Sequence, residues 1–128
     1  MGNHRDLLVW QRASAFAGRI DVETRRMARG HGELADQLRR AALSVPTNLA
    51  EGASKGRDAE FLRFINISIG SAAELDSLLA HAAAVGAFDR QAAAEVTDDL
   101  TVIRKMLFKL RGALQRSGDG HVSPTTRA

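Results

Sequence analysis

Cations are the residues of this chain best suited to chemistry, and their spacing fits phosphate binding better than catalysis. Arg5, Arg12, Arg19 and Arg26 recur every seven residues, almost two helical turns, so on a helix they form one stripe. Glu23 stands within pairing reach of Arg19 and Arg26 and neutralises that end of the stripe. Arg104, Lys105, Lys109, Arg111 and Arg116 follow Asp99 with no acid before Asp119, and such a cluster attracts polyanions. The competing reading is a solvated basic face with cations well placed at a helix C-terminus. A second polar set, Arg40, Ser44, Asn48 and Glu51, is spaced to stack along one helix face. Arg40 reaches Ser44 by spacing and shares its stripe with Glu51, so a structural ion pair or carbonyl cap is the expectation. Asn48 follows Pro46 by two residues and is expected to satisfy a carbonyl freed by the proline, since a buried unpaired group costs about 1–3 kcal/mol.

Catalytic and metal chemistry find little support. His4, His31, His81 and His121 are scattered, and none stands at metal spacing from a carboxylate or another histidine on one helix face. The Glu-x-x-His pairs of di-iron bundles are absent from the sequence. Ser14 and Ser44 have no basic partner nearby in sequence, and no glycine-rich loop precedes a strand. Without cysteine there are no disulfides, thiol nucleophiles or Cys-based zinc sites. The expectation is a non-enzymatic protein with no metal or cofactor.

The elements that must position these groups are helices. Leu7, Trp10, Ala13, Ala17 and Ile20 mark the inner face of a first helix, from about Asp6 to Ala28. Leu38, Ala41, Ala42, Val45 and Leu49 mark a second, from about Glu33 to Gly52, which must bend or restart at Pro46. A third, with Asp58 as N-cap, carries Phe61, Ile65, Ser68, Ala72, Leu75, Leu79 and Ala82 and stops at Gly86; Gly70-Ser71 within it is expected to allow close helix approach. A fourth, capped by Asp89, carries Val96, Leu100, Ile103, Leu107, Leu110 and Leu114. The spacing in both is a bundle seam. Short connections then predict an all-α fold, an antiparallel up-down-up-down four-helix bundle with a kinked second helix, over residues 1–116. Residues 117–128 lack any apolar period and read as a disordered tail.

That topology brings residues 1–14, 48–64 and 103–117 to one pole, with ten basic and four acidic side chains for a net +6, leaving −3 for the rest of a +3 chain. Arg5, Arg12, Lys105, Lys109, Arg111 and Arg116 are the candidate nucleic-acid contacts. Aromatic residues are only 5% of the chain, so stacking platforms are scarce and contact should be to phosphate. Leu62, Phe64, Ile67 and Ile69 lie off the third helix's seam, more apolar surface than one core face needs, and mark a candidate subunit interface. No apolar run approaches the ~18 residues of a membrane span, and no leader opens the chain; the expected compartment is the cytoplasm.

The segment QLRRAALSVPTNLAEG (37–52), with Asp6-Leu7-Leu8-Val9-Trp10-Gln11, Glu60-Phe61-Leu62-Arg63-Phe64 and Gly70-Ser71-Ala72-Ala73-Glu74-Leu75, resembles the bacterial 23S rRNA intervening-sequence protein family, over residues 6–116. That resemblance implies a four-helix bundle assembled as a homopentameric ring, with Arg39, Arg40, Pro46, Asn48, Glu51 and Gly52 as motif positions of structural role. It extends to the accessory protein of diversity-generating retroelements, which implies nucleic acid and a reverse-transcriptase-like protein as partners. Arg26 and His31 also match the Arg-x4-His spacing of HEPN-type ribonuclease bundles, but there the pair lies near the start of the last helix and here it closes the first. The reading is therefore a non-enzymatic homopentamer that binds RNA or DNA through a basic pole. Its rivals are a scaffold without nucleic-acid binding and an HEPN-type ribonuclease.

Overall fold

A computed structural model describes residues 3–27 and 29–118. Seam residues recur at helical spacing, and only helices and turns occur among the described residues. A short 3-10 turn, His4–Asp6, precedes four α-helices: α1 (Leu8–Arg25), α2 (Gly32–Ala53), α3 (Asp58–Ala84) and α4 (Arg90–Gly118). Each helix packs on its chain neighbours, and α1 also packs on α4. Side-chain contacts run in opposite order along paired helices. Ser44 meets Ser71 and Val45 meets Ser68 between α2 and α3, while Asp58 meets Ser117, Asn66 meets Arg111 and Asp76 meets Arg104 between α3 and α4. No described helix is long and apolar enough to cross a membrane.

The core is the seam read from the sequence. All seven seam residues expected on α3 are buried, as are the five on α2. On α4, Val96, Leu100, Ile103, Leu107 and Leu114 are buried and Leu110 packs against them. On α1 the buried set is Val9, Ala13, Phe16, Ile20 and Thr24, with Leu7, Trp10 and Ala17 at its margin; Val9 and Phe16 were not anticipated. Burying a Val, Leu, Ile or Phe side chain fully contributes roughly 1.5–3 kcal/mol, whereas an exposed ion pair contributes about 0–1 kcal/mol. The seam therefore holds the bundle.

Several local expectations are corrected. The first helix does not begin at Asp6, which closes the 3-10 turn instead. Arg57, not Asp58, is the N-cap of α3 and makes no side-chain cap bond. Asp58 is the first helical residue, and its carboxylate accepts a hydrogen bond from Ser117 Oγ at 2.9 Å. Asp89 does cap α4, accepting from the Ala92 N–H at 3.0 Å. The bundle extends two residues past the expected boundary at 116, to Gly118, so Ser117 and Gly118 are helical rather than tail. The rest of the expected tail, 119–128, lies outside the described residues.

α2 runs through Pro46 as one α-helix of 22 residues and does not restart there. Proline lacks the N–H that would reach the Ala42 carbonyl. The Asn48 side-chain amide donates elsewhere, to the Ser44 carbonyl at 2.8 Å and to Ser44 Oγ at 3.0 Å, so it does not fill the vacancy left by the proline. Gly52 explains itself by geometry: a Cβ there would lie 2.7 Å from Phe64 Cβ, 2.9 Å from Phe61 Cδ1 and 3.3 Å from the Phe61 carbonyl oxygen. Here α2 packs tightly on α3 next to their four-residue connection, and a side chain at this position would push the two helices apart. At Gly70 the opposite holds: a Cβ would meet nothing within 4 Å, so the expected close approach there is absent.

Candidate nucleic-acid interface

α4 presents its apolar seam to the bundle and leaves the opposite side to solvent. At 3.6 residues per turn, Lys105, Lys109 and Arg116 fall within about 40° of one another, on the side facing away from Ile103, Leu107 and Leu114. All three are exposed, and none forms an ion pair among the described residues. Their mutual repulsion is not offset by an acid on α4 between Asp99 and the helix end. The helix dipole accounts for Arg116, in the last turn, but its effect fades within one turn. Lys105 and Lys109 lie beyond its reach.

The other three candidates do not share this face: Arg111 lies on another side of α4 and Arg12 borders α4 from α1, whereas Arg5 lies in the 3-10 turn, which packs on α1 and α2 and not on α4. Arg111 leans toward α3, where Nη1 donates to Asn66 Oδ1 at 3.3 Å and the guanidinium lies 4.9 Å from the Phe108 ring centroid. Arg12 borders a shallow groove between α1 and α4 with Phe16, Asp99 and Ile103. Arg5 is exposed in the 3-10 turn; its N–H is held by Asn3 Oδ1 at 3.0 Å and its carbonyl accepts from Gln11 Nε2 at 2.7 Å. None of the six candidates has an ion-pair partner among the described residues.

The stripe on α1 therefore splits in two. Its far half is neutralised as the spacing suggested: Glu23 lies 3.1 Å from Arg19 Nε and 3.9 Å from Arg26 Nη1. Arg19 also reaches Glu95 on α4 at 2.7 Å, a partner invisible in the sequence. Its hydrogen bonds to Glu95 and then Glu23 hold the guanidinium pKa above its ordinary value. The bond from Arg19, helped by Gln91, holds the Glu95 carboxyl below the ordinary carboxylate range.

The motif residues separate into structural and exposed members. Arg39 ties α1 to α2, donating to the buried Thr24 hydroxyl at 2.9 Å and pairing with Asp36 at 2.5 Å. Pro46 and Gly52 are buried. Arg40 does not pair with Glu51, which bonds Lys55 at 3.4 Å; it stands exposed beside Gln37, Ser44, Ser71 and Glu74 in a shallow α2–α3 groove. The expected ion pair within the motif stripe is thus absent; its polar contacts are Asn48 to Ser44 within the stripe and the Ser44–Ser71 hydroxyl pair to α3 at 2.8 Å.

The candidate interface residues also divide. Leu62 and Ile69 are partly buried, packing one side against this chain's own core. Phe64 is half-buried against Gly52, with Arg63 over its ring at 4.5 Å. Ile67 alone of the four is openly exposed, at 41%. Sequence reasoning missed Phe108, 42% exposed among the cations of α4; its place one residue off the seam, between Leu107 and Lys109, was the available signal. No group of His, Asp or Glu suited to a metal ion occurs among the described residues.

Comparison with known proteins gives a consistent frame. A family model described as 23S rRNA-intervening sequence protein matches residues 5–109. The fold is similar to a crystal structure from Bacteroides thetaiotaomicron, described as a protein of unknown function from the S23 ribosomal protein family, with a TM-score of 0.74 and 22% sequence identity. The match covers 82% of this chain and 96% of that one; at this identity it speaks for the fold alone. No curated protein matches.

Proposed function

Since the chain belongs to the 23S rRNA-intervening sequence protein family, we propose that it is a non-enzymatic homopentameric bundle that binds RNA or DNA through its basic pole. The number five rests on the family resemblance. The binding surface rests on one observation: Lys105, Lys109 and Arg116 share the solvent face of α4 with no ion-pair partner among the described residues. Elsewhere Arg19, Arg25, Arg26, Arg39, Lys55 and Arg63 sit beside carboxylates. Arg40, Arg57 and Arg90 form no ion pair among the described residues either, but they do not line up on one helix face as the α4 cations do. A row of unneutralised charge on a rigid helix repels itself, and a polyanion relieves that repulsion while releasing its own counterions. In a ring the row would be repeated about the axis, so weak contacts would add through multivalency.

The test is retention of labelled RNA and DNA over a salt series. Binding should fall linearly on a plot of log affinity against log salt. Lys109→Glu with Arg116→Glu should weaken binding to every sequence alike and leave assembly intact. A wild-type protein that retains no nucleic acid even at low ionic strength would leave the scaffold reading standing; tight binding indifferent to salt would contradict the phosphate mechanism.

A further inference from the structure

Phe108 is a large aromatic side chain held at the surface of α4, 42% exposed, in the most cationic stretch of the chain. Its helical neighbours are Arg104 and Lys105 one turn before, Lys109 beside it, and Arg111 and Gly112 one turn after. The Arg111 guanidinium lies 4.9 Å from the ring centroid and is itself steadied by Asn66 of α3. Gly112 leaves the position one turn on without a side chain, and a Cβ there would meet only the mobile end of Arg116, at 3.3 Å. The Arg111 guanidinium thus covers one face of the ring and the Arg116 guanidinium reaches the Gly112 position, so the 42% of the residue that stays exposed is the surface left for a base to cover. Leaving part of such a ring in water forfeits part of its hydrophobic stabilisation, and the core has no place for it, because residue 108 is one step off the seam.

We propose that Phe108 is a stacking platform for an unpaired base, and that the basic face of α4 therefore prefers single-stranded nucleic acid to duplex. The proposal deepens the nucleic-acid reading above and rests on it. Lys105 and Lys109 lie within a turn of the ring on the same helix, a spacing that lets phosphates on either side of a stacked nucleotide meet cations while the base covers the ring. A duplex hides its base faces, so it reaches the lysines but not the ring. Every base has a π-face, so the platform discriminates strand state and not sequence.

The experiment uses the full chain, with fluorescein-labelled oligo(dT), oligo(U) and a DNA duplex of the same length, read by anisotropy, and light scattering for assembly. Phe108→Leu keeps an apolar side chain at an exposed site and removes the ring; Phe108→Trp restores one. Stacking contributes about 1–3 kcal/mol per base, so Phe108→Leu should weaken single-strand binding by about 5- to 150-fold, leave duplex binding unchanged, and be rescued by Phe108→Trp. Oligo(dT) and oligo(U) falling together would support a base platform common to both chemistries, and a loss confined to one would overturn it. If Phe108→Leu binds single strands as wild type does, while Lys109→Glu with Arg116→Glu does not, the phosphate reading survives and the stacking platform is refuted. A wild type that binds neither strand state refutes both. A changed oligomeric state in Phe108→Leu would assign the ring to a contact between copies and overturn the proposal.

Discussion

Gly52→Ala is the sharpest test of how α2 and α3 meet. The new Cβ would stand 2.7 Å from Phe64 Cβ, while ordinary contact begins near 3.4 Å, so the helices must part by about 0.7 Å at this crossing. Phe64 Cβ and the Phe61 carbonyl oxygen are anchored to the backbone, and no rotamer change relieves them. Overpacking of this kind costs about 1–3 kcal/mol. Alanine returns about 1 kcal/mol through its better helix propensity, which leaves a net loss near 1 kcal/mol. For a domain between the surveyed sizes, that lowers the melting temperature by about 4 °C. Gly18→Ala in α1 provides the control, because a Cβ there meets nothing within 4 Å; it should raise stability by about 1 kcal/mol. Both variants would be followed by far-ultraviolet circular dichroism through heat and urea, at one protein concentration because oligomers melt in a concentration-dependent way. Opposite signs are expected. If Gly52→Ala is as stable as Gly18→Ala, the close crossing does not constrain this position.

Three further outcomes follow from the same geometry. Ile67→Asp, at an exposed site on the candidate α3 interface, should yield folded monomers by light scattering, whereas Ile69→Asp should also lower the stability of the fold because Ile69 packs partly on the core; a wild type monomeric at micromolar concentration would end the oligomer reading. Asp89→Ala removes the cap on the Ala92 N–H and should lower urea stability by about 1 kcal/mol, with an unchanged midpoint counting against the cap. The Glu95 carboxyl titrates below its ordinary range when folded, through its bond from Arg19, so its stabilisation is present above that range and is lost as pH falls through the lowered value. Glu95→Gln should therefore flatten the acid-side decline in urea midpoint, and parallel wild-type and variant curves would refute the linkage.

What could be read from one sequence followed the helical period. Phe61 through Ala82 on α3 and Val96 through Leu114 on α4 repeat at spacings that place them on one face, and burying that face is the largest favourable term available to the chain. Asp89 was legible for the same local reason, since its cap bond closes within three residues. Where two local signals competed, sequence reading erred. Asp58 looks like a cap by type, but the chain turns at Arg57 and leaves Asp58 to bond Ser117 from another helix.

The sequence by itself determined four helices, the inward faces of α2, α3 and α4, and a cationic α4, because each is a matter of residue type and spacing along one element; on α1 it placed Ala13 and Ile20 but not Val9 and Phe16. Tertiary structure decided which charges remain free. Glu23 marks Arg19 for pairing within the sequence, but its second partner, Glu95, 76 residues away, is supplied by the fold, and the fold brings Arg12 no ion-pair partner among the described residues. It also decided that a Cβ is crowded at Gly52 but not at Gly70, and that Ile69 is partly covered by the core while Ile67 faces solvent. Those outcomes depend on how closely one helix approaches another, and a one-dimensional pattern carries no such distance.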